Sequence, residues 1–410
     1  MCAMSPHVSA LRTPEAVRER CQEVLAYVDA GQSEWFRLDR ERLDHAAALV
    51  CAEIEGNYPT LEIPFHSRWR HFVVGDEDRW QSIVNQLEPD DDLNTGRAAF
   101  ELAITSVLLD AGAGDHWQYK DPATGERFGR SEGLALASLE LYTSGLLSDS
   151  ETQPLRADAG ALQTLDPEAL ATTFQVGRHN PLSGLSGRTG LLRRLGNVVA
   201  CNPQVFGSER PRLGNLFDVF YARGVHGSLP AREVLIEVLT LLSSIWPGRL
   251  TLDDENLGDV WEHPAIVRDD PTNRLVPFHK LSQWLSYSLL EPLESAGIDI
   301  TGLDSLTGLA EYRNGGLFVD TGVLCPLDAS NLSRTHAAHA LLVVEWRALT
   351  VALLDQLAPK VRSRLGGSDT ELPLVRILQG GTWSTGRKLA AQRRPKASPP
   401  FVIDSDGTVF

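Results

Sequence analysis

Apolar residues recur every three or four positions along most of the chain, the period at which side chains share one face of an α-helix. In TPEAVRERCQEVLAYVDAG the pattern carries its own punctuation: Thr13 as N-cap, Pro14 at the first helical position, Glu15 in the first turn and Gly31 past the end. The same spacing predicts helices in LDRERLDHAAALVCAEIEG, GRAAFELAITSVLLDAG, SEGLALASLELYTSGLL, REVLIEVLTLLSSIW, FHKLSQWLSYSLLEPLESAG and the long SRTHAAHALLVVEWRALTVALLDQLAPKVRSRL. Strand signals are few. WQYKDPATGERFGR (117–130) reads as a hairpin, because Asp121, Pro122 and Gly125 supply turn chemistry between aromatic flanks, and FVIDSDGTVF has a similar pattern around Asp406-Gly407. The expectation is a mainly α, multi-helix globular fold with short β-hairpins. Loop-rich stretches at 147–155, 176–188 and 203–214 mark internal seams, which suggests lobes at 1–200 and 201–410 or one continuous domain.

Composition fits an ordinary globular chain, with 42% apolar and 22% charged residues among 410. The formal charge is 38 − 54 = −16, and the basic residues are scattered. That disfavours nucleic acid as a partner and leaves room for one small anion in a local basic pocket. The five cysteines form no CxxC pair, so neither a zinc ribbon nor a disulfide framework is expected, and a reducing cytoplasm fits. The first twenty residues lack an apolar leader core, and no run approaches the roughly 18 apolar residues of a membrane span. A cytoplasmic protein acting on a small molecule, with no membrane partner, is the reading.

Four stretches embed polar groups among aromatics and glycines, where desolvated functional residues tend to lie. In IPFHSRWRHFVVGDEDRW, His66, Arg68, Arg70 and His71 interleave with Phe65, Trp69 and Phe72, a cradle for a phosphate and a planar group; alternatively the arginines pair with Asp76 and Asp78. In LVPFHKLSQWLSYSLLEPLE, helical spacing from about Pro277 puts Lys280, Gln283, Trp284 and Tyr287 on one face, next to His279, although Lys280 could equally be a solvated first-turn residue. The long helix carries His336, His339 and Glu345, a weak metal-site pattern, and sets Glu345 and Arg347 among Leu341, Leu342, Val343, Val344 and Leu349, where a charge must be paired or functional. Finally, LAEYRNGGLFVDTGVL (309–324) combines Glu311, Tyr312 and Arg313 with an Asn-Gly-Gly run and Asp320. It reads either as a turn with a capping aspartate or as a phosphate-facing hairpin that aims Asp320 into a cavity. Phosphate-loop, GxSxG, HExxH and dinucleotide fingerprints are missing.

Together, FHSRWRHF, SVLLDAGAG, FGRSEG, PFHKLSQWL, LAEYRNGGLFVDTGVL, VVEWRALTVALLD and SDGTVF resemble the bacterial and fungal family associated with uracil catabolism, across nearly the whole chain. The resemblance implies a place in a route that opens the ring of a uracil nucleotide, through a ribosylurea phosphate, to free urea. AEYRNGG is similar to the acid-Tyr-Arg motif of queuosine-salvage nucleotide glycosidases. VDTGV resembles the stretch carrying the catalytic aspartate of helix-hairpin-helix DNA glycosylases, with Ala310 in place of the hairpin's second glycine and a shorter interval before Asp320. These likenesses imply a helix-hairpin-helix arrangement around 305–324 and an N-glycosidase that needs no cofactor.

Cleavage of a ribosyl C–N bond passes through an oxocarbenium-like state, which calls for an anion beside the sugar, a positioned water and help for the departing nitrogen. The expected assignment is Asp320 as stabiliser and water-orienting base, with Glu311 or Glu345 serving the leaving urea. Arg313, Lys280 and the Arg68/Arg70 pair compete for a phosphate, Phe65, Trp69 and Trp284 wall the site, and Arg347, Tyr312, His279, Gln283 and His66 complete the expected substrate-binding set. Two rivals stand beside it: an amide or ureide hydrolase, metal-assisted through His336, His339 and Glu345, and a noncatalytic partner of another pathway enzyme.

Overall fold

The computed structural model of the chain describes residues 5–87, 92–114 and 116–404. Helices of ten residues or more are α1 (Pro14–Asp29), α2 (Leu43–Asn57), α3 (Asp92–Leu108), α4 (Arg130–Thr143), α5 (Leu185–Cys201), α6 (Asn215–Gly224), α7 (Ala231–Leu242), α8 (Lys280–Ser295), α9 (Tyr312–Thr321), α10 (Leu341–Leu365) and α11 (Trp383–Arg393). Strands among the described residues form only two-stranded pairs of two or three residues, too small to carry a core. The fold is mainly α. At α1 the Thr13 hydroxyl accepts the Ala16 N–H at 3.1 Å, with Pro14 next in line, as the sequence predicts. The hairpin at 117–130 forms with Tyr119 opposite Phe128, its turn held by the Asp121 carboxylate and by Gly125 at φ +75°. Near the C-terminus, Val402–Asp404 pairs in parallel with Thr335–Ala337; the turn expected at Asp406-Gly407 lies outside the described residues.

Two compact units divide the chain. The first gathers the described parts of Met1–His66, Gly248–Gln283 and Gly302–Ser405; the second takes Ser67–Pro247 and Trp284–Thr301. In the first unit α10 packs against α1 and α2, and α9 lies between α10 and α11. Every residue from Leu342 to Leu354 is buried, which is the behaviour of a helix surrounded by core on all sides. In the second unit a buried polar network holds the centre. Glu101 accepts from Arg212 Nε at 2.6 Å, from Tyr142 Oη at 2.9 Å and from the Gly214 N–H at 3.1 Å. Arg188 grips the carbonyls of Leu109 and Gly112 at 3.1 and 3.2 Å, just past the C-terminus of α3, where a cation complements the helix dipole.

Two local expectations change. The long helix starts at Leu341 and not before 336: His336 lies on the strand Thr335–Ala337, and Ala340 is the N-cap. The Asn-Gly-Gly run is no turn or hairpin, since residues 312–321 are helical. Its first glycine serves close packing. A Cβ on Gly315 would come within 2.7 Å of Trp346 and Thr350, so only glycine lets α9 approach α10 this closely.

Candidate functional site

The N-terminus of α9 is built around a carboxylate. Glu311 sits at the N-cap in extended backbone, and its side chain accepts the N–H groups of Arg313 at 2.8 Å and Asn314 at 2.6 Å. An anion suits these otherwise unpaired donors and the positive end of the helix dipole. Glu311 is nonetheless buried. Burial pushes its carboxyl above the usual glutamate range, while the two N–H bonds and the charges of Lys280 and Arg313 pull it back. Lys280 opens α8 and is itself buried; its ammonium lies within electrostatic reach of both Glu311 and His66. His66 hands its Nδ1 proton to Gln379 Oε1 at 3.0 Å, and burial holds its pKa down to about 4. The ring is thus neutral at pH 7, with Nε2 as an acceptor. One turn along α8 from Lys280, Gln283 is fully buried.

One ion pair fixes this constellation. Arg347 binds Asp259 in bidentate fashion at 2.7 and 2.8 Å and lies over the Phe278 ring at 4.2 Å. The Asp259 carboxylate also accepts the Lys280 N–H at 3.0 Å, and Arg347 Nε donates to Ala310 O at 3.3 Å. The pair therefore ties the first residue of α8 to the residue preceding Glu311. Burial opposes the Asp259 charge, but Arg347, Trp261 Nε1 and the Lys280 N–H outweigh it and hold the acid far below the usual range. Just before Lys280, His279 takes a left-handed backbone at φ +48° and donates from Nε2 to Leu11 O at 2.9 Å. Such strain in a non-glycine residue persists only where its surroundings impose it. The burial of Arg347 foretold a partner; Asp259, 88 residues away in a stretch with no periodic pattern, was not legible.

The other candidates have partners of their own. Phe65 and His66 belong to the first unit, Arg68, Trp69 and Arg70 to the second. Phe65 lies under the Arg376 guanidinium, whereas Arg68 binds Ser106 Oγ at 2.6 Å and Asp110 at 3.2 Å. Arg70 pairs with Glu291 at 2.6 Å, and Trp69 Nε1 donates to Ser288 O at 2.7 Å. The arginines' partners are thus distant acids rather than the neighbouring Asp76 and Asp78. Trp284 is in the second unit, with Arg68 over its ring and His71 at its edge. Arg313 stacks on Tyr312 and donates to Ala397 O at 2.9 Å.

Glu345 is enclosed. Ser33 Oγ donates to one carboxylate oxygen and His263 Nε2 to the other at 3.1 Å; His263 Nδ1 accepts the Ala265 N–H, which fixes the tautomer. His336 Nε2 donates to Asn331 O at 2.8 Å. Among the described residues no three His, Cys, Asp or Glu side chains converge, so the donor set imagined from His336, His339 and Glu345 is not assembled. Asp320 is also committed, to Arg394 in bidentate contact at 2.7 and 2.6 Å. It borders a cavity of about 350 Å³ together with Arg37, Arg42, His45, Cys325 and Arg393. Glu311 caps α9 at its N-terminus and Asp320 lies near the other end of the same helix, nine positions on. No helix among the described residues is long and apolar enough to cross a membrane.

Set against known proteins, residues 10–410 match a family described as protein of unknown function (DUF1688). The chain is 39% identical over 415 residues to protein urg3 of Schizosaccharomyces pombe, covering 98% of this chain and 99% of that one. It is 38% identical over 437 residues to uracil catabolism protein 4 of Lachancea kluyveri, with the same coverage of 98% and 99%.

Proposed function

Because the chain belongs to the DUF1688 family and resembles a uracil catabolism protein along almost its full length, we propose that it is an enzyme of uracil breakdown: an N-glycosidase that hydrolyses ribosylurea, as its 5-phosphate, to urea and ribose 5-phosphate. The observation that carries this reading is the buried Glu311 carboxylate at the α9 N-terminus with the Lys280 ammonium in its field. As the C–N bond opens, positive charge develops at the sugar, and an anion preorganised by two backbone N–H groups stabilises it and orients the attacking water. Lys280 donates to the ureido oxygen and so helps the urea leave; neutral His66 adds no competing charge. Asp320, held by the Arg394 guanidinium, and Glu345, held by Ser33 and His263, are given no part in the reaction.

Purified protein given ribosylurea 5-phosphate should release urea and ribose 5-phosphate in equal amounts. Glu311→Gln, which keeps the shape but removes the anion and turns an NH2 toward one of the two N–H groups it caps, should lower kcat by about 100-fold or more and cost about 1 to 3 kcal/mol of stability, read by melting. No release from the wild-type protein would leave the noncatalytic partner reading in possession.

A further inference from the structure

The Gln283 amide is only half satisfied. Its Nε2 donates to Thr307 Oγ1 at 2.8 Å, and the Thr307 hydroxyl sends its own proton to Gly308 O at 3.2 Å. The amide thus turns Nε2 to Thr307 and Oε1 away from it. Oε1 is left without a partner on a residue of zero exposure. Buried acceptors in this state are rare, and a ligand that completes the bond accounts for one at a site. Gln283 lies three residues after Lys280 on the same face of α8, and Thr307 lies four residues before Glu311.

Resting on the glycosidase reading above, we propose that Gln283 Oε1 accepts an N–H of the ureido group whose carbonyl Lys280 holds, making Gln283 the residue that selects the leaving group. A ureido group presents a carbonyl flanked by N–H donors. An ammonium and an amide oxygen one turn apart offer the complementary donor and acceptor. A leaving group without that proton leaves Oε1 unmade and is discriminated against, as sites built to hydrogen-bond a substrate reject analogues that lack the bond.

The test is calorimetric binding of ribosylurea 5-phosphate to the full chain carrying Glu311→Gln, with ribose 5-phosphate as the ligand that lacks the ureido group. Adding Gln283→Met should weaken ribosylurea 5-phosphate by about 10- to 100-fold and leave ribose 5-phosphate unchanged. If Gln283→Met fails to fold, Thr307→Val frees the amide to turn and should weaken the same ligand several-fold, again selectively. Equal losses for both ligands, or unchanged affinity for ribosylurea 5-phosphate, overturn the proposal. The two readings fail separately: selective binding without any urea release from wild-type protein removes the hydrolase and keeps Gln283 as ureido reader. Full urea release by Gln283→Met with unaltered KM does the reverse.

Discussion

At the scale of single residues, burial sets what each acid can do. Glu311 is charged only above the ordinary glutamate range, so kcat/KM should rise with pH through an apparent pKa higher than 4.5, and Glu311→Gln should remove that limb along with the activity. Asp320 is the contrasting case, a carboxylate whose two oxygens both face one arginine. Asp320→Asn strands Arg394, a guanidinium about one fifth exposed, and should cost about 1 to 3 kcal/mol in chemical denaturation while kcat per folded molecule stays unchanged. A drop in kcat comparable to that of Glu311→Gln would return Asp320 to the reacting set. The residue types were legible in the sequence: Glu311, Lys280, Gln283 and Arg347 all stood out as polar groups in apolar company. Their partners Asp259, Thr307 and Gln379 did not, since nothing local marks a side chain that is recruited from far along the chain.

Among elements, helix contacts in the first unit depend on missing side chains. Gly386 on α11 faces the backbone of α9, where a Cβ would stand 2.2 Å from Arg313 O. Backbone cannot rotate aside, so Gly386→Ala must push α11 off α9. It should destabilise by about 1 to 3 kcal/mol and, because the displaced segment follows Glu311, lower turnover as well; a thermal melt and an activity assay on the same sample check both. Seven of the helices were readable from their period, as were the Thr13 cap and the hairpin at 117–130; α5, α6 and α11 were not, α5 opening inside the loop-rich stretch at 176–188. Gly315 misled, because glycine written for close approach looks the same in sequence as glycine written for a turn. His336 misled in the same way, the apolar period running on past the true N-cap at Ala340.

For the whole molecule, buried titratable groups shape the acid side of the stability profile. Unfolded, His66 takes up a proton near pH 6.5; folded, only near pH 4. The unfolded chain thus binds more protons between those values, and stability should fall by up to about 3 kcal/mol as pH drops from 6.5 to 4, with no contribution from this group above 7. Asp259, lowered by its bonds, adds stability above pH 3.8 that is lost further into acid. Glu311 works the opposite way, its raised value relieving a burial penalty as pH falls. Denaturant melts at several pH values should show the decline, and His66→Gln should flatten it. The broad class, mainly α, followed from the period of the apolar residues, whereas the assembly of the first unit from three separate stretches has no local signature. That assembly has a consequence for how the protein is made. On a ribosome adding about 5 to 20 residues per second, α1 and α2 emerge tens of seconds before α10, the helix whose burial completes their core. During that wait their apolar faces are open to water or to a chaperone, so the first sixty residues depend on the last quarter of the message to close their core.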